Sequence, residues 1–131
     1  MNVDAQITFI YTDDLPRSAR FYEEVLGFEL ALDQGSCRIY RVVGGKAYIG
    51  ICSGASPPDA GAGIILTLVT ADVDGWYNRI IATGWECEHP PRRNDAFDIY
   101  HFFLRDPSGY RIEIQRFASE DWDRSTQGIS L

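Results

Sequence analysis

Residues 102–117 read FFLRDPSGYRIEIQRF, two apolar runs on either side of the turn-forming tetrapeptide DPSG. Pro107 presets φ for the first central position of a turn, and Gly109 adopts a positive φ without a steric penalty. This combination predicts a β-hairpin whose loop is a type I turn followed by a glycine bulge. The bulge sets the strand register, and it places Phe103 opposite Glu113.

This register sorts the side chains of the hairpin onto two faces, because cross-strand partners point the same way. One face is entirely apolar and belongs in a core; it carries Tyr100, Phe102, Ile112 and Ile114. The other face holds an imidazole and a carboxyl group among apolar neighbours; it carries His101, Phe103, Glu113 and Gln115. Polar groups on a largely apolar face are typical of a small-molecule site. We therefore expect the functional site on the second face.

The composition is that of an ordinary globular domain, with 131 residues, 45% of them hydrophobic, and a formal net charge of −7. A single domain of this length buries a substantial core. The negative charge argues against a nucleic-acid partner, which requires a basic surface. Residues 1–10 hold no basic segment and no long apolar run, so we expect no signal peptide, no membrane partner and a cytoplasmic location.

The three cysteines are an odd number without C-x-x-C spacing, which indicates neither a disulfide framework nor a zinc site. A two-residue hairpin turn at Gly44 and Gly45 would place Cys37 opposite Cys52. Because cytoplasmic thiols are usually kept reduced, we expect two buried free thiols at these positions.

The sequence repeats one pattern twice. A β-prone run at residues 6–12 is followed by a helix over roughly residues 15–26, with Asp14 as its N-cap and Gly27 after its end. A second run at residues 63–70 is followed by the cap Asp72, an apolar helical stripe and Gly84, at an offset of 57 to 58 residues. The strands predicted after the two helices lie around residues 28–32, 37–43 and 46–52, then 85–89, 99–105 and 110–117.

This repeat predicts an α+β fold of two tandem β-α-β-β-β modules with mixed, cup-shaped sheets. Module one spans about residues 4–54 and module two about residues 63–117, within a single domain of residues 1–131. The Pro- and Gly-rich residues 53–63 form a linker, and residues 118–131 form a polar tail. Helices cover one face of each sheet, and the other two faces curl around a cavity.

The chain resembles the vicinal oxygen chelate superfamily over roughly residues 6–117. The resemblance rests on the FLRDPSGYRIE hairpin and on three short matches in module one. That superfamily includes glyoxalase I, extradiol dioxygenases, fosfomycin-resistance transferases and bleomycin-resistance proteins. It implies a homodimer whose cups each hold a small molecule. In metal-dependent members a divalent ion in the cup polarises vicinal oxygens of the substrate. The three short matches are Asp14-Leu15, Phe21-Tyr22 and Leu26-Gly27-Phe28.

The family's metal-ligand positions are mostly filled by residues that cannot bind a cation. They fall at Ile7, about Gly50, about Ile65 and Glu113, and only the last keeps a donor. A stable divalent site needs several donors in fixed geometry. We therefore expect no cofactor. The alternative is a divalent metal held by Glu113 with His101, and with His89 as the third member of a facial triad.

The remaining candidates are the side chains that alternation places on the cup lining. Glu113 and His101 could transfer protons on a bound ligand, which makes them the candidate catalytic pair. A simpler role, which we favour, is that Glu113 anchors a ligand amine or hydroxyl. The predicted ligand-binding residues are Phe9, Tyr11, Tyr48, Cys52, Thr67, His101, Phe103, Glu113 and Gln115.

Three functions are compatible with these residues. The first is a metal-free protein of the bleomycin-resistance type that binds a small aromatic or cationic molecule. The second is an enzyme, either a glyoxalase-type lyase or isomerase or an extradiol-type dioxygenase. The third, with less support, is a dimeric scaffold without a ligand, its cup filled by its own side chains.

Overall fold

The structure is a computed structural model, and it describes residues 1–55, 59, 61–119 and 122. Parts of the predicted linker and nearly all of the predicted tail lie outside these residues. Among the described residues, no helix is long and apolar enough to cross a membrane.

The chain forms two β-α-β-β-β modules, each with one four-stranded sheet. The order in the sheets is β1-β4-β3-β2 and β5-β8-β7-β6, and only the pairs β1/β4 and β5/β8 are parallel. This equivalence confirms the predicted repeat and the α+β fold. Module one contains β1 (Gln6–Thr12), α1 (Leu15–Arg20) with a π-helical continuation (Phe21–Val25), β2 (Glu29–Asp33), β3 (Cys37–Val43) and β4 (Ala47–Ser53). Module two contains β5 (Ile65–Val69), α2 (Val73–Ala82), β6 (Arg92–Asn94), β7 (Ile99–Arg105) and β8 (Arg111–Phe117).

The β7–β8 hairpin has the predicted register. Phe103 pairs with Glu113 and His101 pairs with Gln115. Gly109 has a φ of 93° and donates its N–H to the carbonyl of Asp106 at 2.9 Å. The glycine bulge therefore fixes which side chains share a face, as the sequence indicated.

The helix boundaries are also as predicted, because the local capping chemistry is present. The Asp14 carboxylate accepts the N–H of Arg17 at 3.1 Å, and that of Asp72 accepts the N–H of Gly75 at 3.0 Å. Gly84 follows α2 with a φ of 87°, a conformation that favours glycine. The first helix differs in one respect, since its second half widens into the π-helical turn.

The strand predicted at residues 85–89 is wrong. Only Cys87 forms a bridge there, with Leu104, and the edge strand of this sheet is β6, after the prolines. Pro90 and Pro91 have no N–H to donate to a ladder, so they interrupt pairing along this edge. The segment still runs beside β7, because the N–H of Glu88 donates to the Phe103 carbonyl at 2.8 Å.

The predicted cysteine register is correct, and the predicted redox state is wrong. Cys37 pairs with Cys52, although Val43 pairs with Ala47 and the loop is longer than two residues. A bulge between Arg41 and Val43 compensates for the longer loop. The two sulfur atoms are bonded to each other, contrary to the expected free thiols. The reason is geometric, since the ladder holds the two Cα atoms 4.1 Å apart.

One continuous core lies on the helix side of both sheets and joins the modules. At its centre, the Tyr22 hydroxyl of module one donates to the Asp106 carboxylate of module two at 2.9 Å. Asp106 also accepts the N–H groups of Ser108 and Tyr110 at 3.0 and 2.8 Å. Burial raises the pKa of this carboxyl group, and the hydrogen bonds oppose part of that rise. The contact therefore links the hairpin loop to the other module.

The opposite face of each sheet is open. On β1, the side chains of Ile7 and Phe9 are 41% and 48% exposed, and on β5 those of Ile65 and Val69 are 48% and 44% exposed. Such apolar surface is normally covered by a partner or a ligand. Because both faces stay exposed, the two modules do not cover each other's open faces within one chain.

We expect Tyr22→Phe to lower the free energy of unfolding by about 1.5–3 kcal/mol, since it leaves a buried carboxyl group without one of its donors. Tyr40→Phe is the matched control, because Tyr40 is equally buried but its hydroxyl donates to the exposed Glu23. We expect it to cost only about 0.5–1 kcal/mol. Urea denaturation measures both values, and equal losses would contradict the structural role assigned to Asp106.

Candidate functional site

The centre of the open face in module two is a buried carboxylate with two neighbours. Glu113 Oε2 lies 2.7 Å from His101 Nδ1, and Glu113 Oε1 accepts the Thr67 hydroxyl at 3.2 Å. Glu113 and His101 are only 8% and 6% exposed. An ionised carboxylate only accepts hydrogen bonds, so this contact places a proton on His101 Nδ1 and leaves Nε2 free to accept in the neutral ring.

Three strands position these groups. Thr67 on β5 pairs directly with Glu113 on β8, so their side chains share one face. His101 on β7 lies one diagonal position away, opposite Gln115, and it reaches Glu113 across the hairpin. The sequence predicted the shared face of these residues, and the structure brings five of the predicted residues together on module two. They are Thr67, His101, Phe103, Glu113 and Gln115.

A concavity of about 310 Å³ opens above this carboxylate. Its volume is at the lower end for a small-molecule site. The sequence indicated that Ile65 points inward. Alternate residues of a strand share a face, so the same rule could have added Ile99, which shares a face with His101, and Phe117, which shares a face with Glu113. Asn94 and Phe97 come from the segment after the prolines, and no periodicity predicts them. The lining residues are Ile65, Asn94, Phe97, Ile99, Phe103, Glu113, Gln115 and Phe117.

On the open face of module two, an arginine side chain stacks on an aromatic ring. The Arg111 guanidinium lies 3.6 Å from the centroid of the Phe103 ring, and its Nε donates to Glu88 at 2.9 Å. The arginine therefore makes a cation–π contact with this face of the ring. Glu88 is itself held to the backbone of Phe103, so this group forms a rigid wall.

His89 lies beside the Glu113–His101 pair, and the sequence had offered it as the third member of a facial triad there. Its ring centroid is 5.6 Å from that of His101 and 5.9 Å from that of Phe103. Its Nδ1 lies 2.7 Å from the carbonyl oxygen of Pro90. Among the described residues, none forms a hydrogen bond with its buried Nε2.

The remaining predicted ligand-binding residues lie on the open face of module one. They share a face because Phe9 pairs with Gly50 and Tyr11 pairs with Cys52 across β1 and β4. A Cβ atom at Gly50 would overlap the Phe9 ring, so this ring lies across the glycine. The predicted lining is therefore divided between the open faces of the two sheets. The predicted residues on the open face of module one are Phe9, Tyr11, Tyr48 and Cys52.

The residues at the family's metal positions do not fit a divalent ion. Ile7 and Ile65 offer no donor, and Phe9 occupies the space where a side chain at position 50 would extend. Among the described residues, no group of three or more His, Cys, Asp or Glu side chains is arranged to hold a metal. Of the facial triad considered from the sequence, Glu113 contacts His101, and the His89 ring lies 5.6 Å from that of His101 between centroids.

A second cleft, of about 540 Å³, lies between the modules away from both open faces. Cys87 lines it, and burial raises the pKa of this thiol to about 11. At neutral pH Cys87 is therefore protonated and a poor nucleophile. The cleft contains none of the residues predicted for the site.

Paired β-α-β-β-β modules with one open face each define a class of proteins that build cups from two sheets. A model of the Glyoxalase/Bleomycin resistance protein/Dioxygenase superfamily matches residues 5–114, and the chain belongs to this superfamily. The resemblance found from the sequence is thereby confirmed. No curated protein matches the chain significantly.

Solved structures show the same fold. A lactoylglutathione lyase from Agrobacterium tumefaciens is 25% identical, with a TM-score of 0.68, and the match covers 88% of this chain and 94% of that one. The genomically encoded fosfomycin resistance protein FosX from Listeria monocytogenes is 18% identical, with a TM-score of 0.69 and coverages of 92% and 98%. A glyoxalase/bleomycin resistance protein/dioxygenase from Nocardioides is 17% identical, with a TM-score of 0.71 and coverages of 92% and 87%.

We expect Gly50→Ala to lower the free energy of unfolding by about 1–3 kcal/mol, because the new methyl group displaces the Phe9 ring. Gly44→Ala is the control, since a Cβ atom there meets nothing within 4 Å. Combining Gly50→Ala with Phe9→Ala should recover part of the loss, because the clash is gone. Urea denaturation of the single and double variants measures this coupling, and strictly additive losses would contradict the contact.

Proposed function

We propose that this protein binds a small aromatic or cationic molecule in a metal-free cup, as a cytoplasmic homodimer. The observation that carries the proposal is the buried Glu113 carboxylate at the floor of an apolar concavity. Concave apolar surface with a few fixed polar groups is the usual form of a small-molecule site.

The charge of the site favours a ligand that donates hydrogen bonds. Each oxygen of Glu113 accepts one bond, from Thr67 or from His101, and a carboxylate has room for about four. A ligand ammonium, amidine or hydroxyl group can take a remaining position. A charge-assisted bond in this buried setting is stronger than one between neutral groups.

The aromatic rings on both open faces favour a flat ligand. One face of the Phe103 ring already carries the Arg111 guanidinium, a cation supplied by the chain itself. On module one, Phe9 lies across Gly50 and presents a half-exposed ring. A ligand ring packed against Phe9 would form an aromatic pair, which contributes about 0.5–1.5 kcal/mol beyond the area that it buries.

A second copy of the chain is the partner that completes the cup. Each chain has one open face that carries the Glu113–His101 pair and one that carries the Phe9 ring. Within the chain, neither face covers the other. In a two-fold dimer, module one of one protomer can cover module two of the other, and the symmetry repeats this contact, so that two such pairs form. This arrangement buries both apolar faces and closes two equivalent cups.

The alternative function is an enzyme of the glyoxalase lyase or isomerase type, or of the extradiol dioxygenase type. It is favoured by the His101–Glu113 pair, since a carboxylate that orients an imidazole can support acid–base chemistry. A lactoylglutathione lyase is also among the similar structures. We rank this alternative second, because the metal positions lack donors. A ligand-free dimeric scaffold is the third possibility.

The ligand proposal is tested by a thermal-shift screen of aromatic amines against 2-oxoaldehydes. We expect aromatic amines to raise the melting temperature, and Glu113→Gln to weaken their binding ~10- to 100-fold, because a charged acceptor is lost. Glu86→Gln, at an exposed position in the loop after α2, is the matched control. Stoichiometric zinc, nickel, iron or manganese in wild-type protein, lost in Glu113→Gln, would instead establish the metal enzyme.

The dimer proposal is tested by sedimentation velocity. Ile7→Lys places an ammonium group on the open face of module one, and we expect it to produce monomers. Ile81→Lys is the control, because Ile81 lies on α2, away from the open faces, and the two side chains are 41% and 43% exposed. A monomeric wild type, or a dimer that Ile7→Lys leaves intact, would refute this assembly.

A further inference from the structure

We propose that Cys37 and Cys52 form a redox-active couple on the open face of module one. In this proposal, their bond exchanges reversibly with small dithiols and disulfides while the chain stays folded. The inference does not depend on the identity of the ligand, because it rests on the β3–β4 ladder alone.

The ladder brings the two sulfur atoms together whether or not they are bonded. Ser36 and Ser53 lie opposite each other at the next position and share one hydrogen bond, since the N–H of Ser53 donates to the Ser36 carbonyl at 2.8 Å while the N–H of Ser36 donates to Gln34 at 3.1 Å. Hydrogen-bonded and non-hydrogen-bonded pairs alternate along an antiparallel ladder, and the Cα atoms are closer in the latter. The Cys37–Cys52 pair is therefore of the closer kind, with its Cα atoms 4.1 Å apart. Pairs on both sides hold this geometry, so reduction requires no change of fold.

In the single chain, solvent reaches one of the two sulfur-bearing residues. Cys37 is half-buried at the first residue of β3, next to the exposed turn residues Gly35 and Ser36. Cys52, the last residue but one of β4, is buried at 8% exposure. An attacking thiolate therefore meets the sulfur atom of Cys37, and Cys52 leaves as the thiolate.

The chemistry is two successive thiol–disulfide exchanges. A thiolate of the external dithiol attacks the Cys37 sulfur, breaks the bond to Cys52 and forms a mixed disulfide. The second thiol of the reductant then displaces Cys37 and closes its own ring. Two electrons and two protons pass from the dithiol to the protein, which ends with two thiols while the reductant ends as a cyclic disulfide.

The surroundings connect this couple to the cup. Cys52 pairs with Tyr11 across β1 and β4, so both lie on the same open face as the Phe9 ring. In a cytoplasmic protein, disulfides are usually transient and belong to redox catalysis or sensing. A bond at this place is therefore suited to exchange between two states.

Cys87 provides an internal comparison. It lies in module two, beside Leu104, and burial raises the pKa of its thiol to about 11. It is therefore a poor nucleophile and takes no part in the exchange. Replacing it by serine leaves a chain whose only two cysteines are those of the couple.

The experiment uses full-length Cys87→Ser protein in buffers with graded ratios of reduced to oxidised dithiothreitol. After acid quenching, thiols are alkylated in denaturant and counted by intact mass. We expect no alkylation at the oxidising end, two alkylated thiols at the reducing end and a single two-electron transition between them. The near-UV circular dichroism should stay native throughout, and transfer back to oxidising buffer should restore the bond.

Three outcomes would overturn the proposal. The first is that both thiols stay free at every ratio, which would mean that the bond does not form. The second is that the bond resists reduction until denaturant unfolds the chain, which would make it purely structural. The third is that native circular dichroism is lost along with the bond. Cys37→Ser in the same background is the control, since its single thiol can form only mixed or intermolecular disulfides.

Discussion

The buried carboxyl group of Asp106 is the contact on which the arrangement of the two modules depends. It sits in the β7–β8 loop, accepts two backbone N–H groups of that loop and accepts the hydroxyl of Tyr22 from module one. The loop hydrogen bonds stabilise the glycine bulge at Gly109, and the bulge sets the register of β8. One side chain thereby links a local turn to the packing of the whole domain. Burial raises the pKa of this group, so the native state retains its proton to higher pH than the unfolded chain does.

The same register explains why chemistry gathers on one face of module two. With Phe103 opposite Glu113, the carboxylate and the imidazole of His101 point away from the core, while Phe102, Ile112 and Ile114 point into it. A shift of one residue would reverse every one of these positions. The helices occupy the core side of both sheets. As a result of this packing, neither module covers the open face of the other. Half-exposed apolar side chains on both faces are the direct result, and they are the physical reason for proposing a second copy and a ligand.

Several details of the two modules differ from what local chemistry suggests. Residues 44–46 form a longer loop than the two glycines favour, yet a compensating bulge returns Cys37 to its place opposite Cys52. The expectation of free thiols relied on compartment, which sequence composition determines only indirectly. The repeat predicts a strand at residues 85–89, but Pro90 and Pro91 remove the donors that an edge strand needs. In each case the structure expected from local sequence did not form, because pairing with a neighbouring strand or a missing N–H group decided the outcome.

The sequence by itself determined the parts that depend on near neighbours in the chain. These parts are the hairpin register, the caps at Asp14 and Asp72, the repeated module and the shared face of His101 and Glu113, because turn chemistry and period two act within a few residues. Only the tertiary structure decided which groups meet across the chain. It placed Tyr22 on Asp106, His89 beside His101 and Phe9 over Gly50, and it divided the predicted lining between the two open faces. Those contacts depend on how helices and sheets pack in three dimensions, and no local pattern encodes that packing.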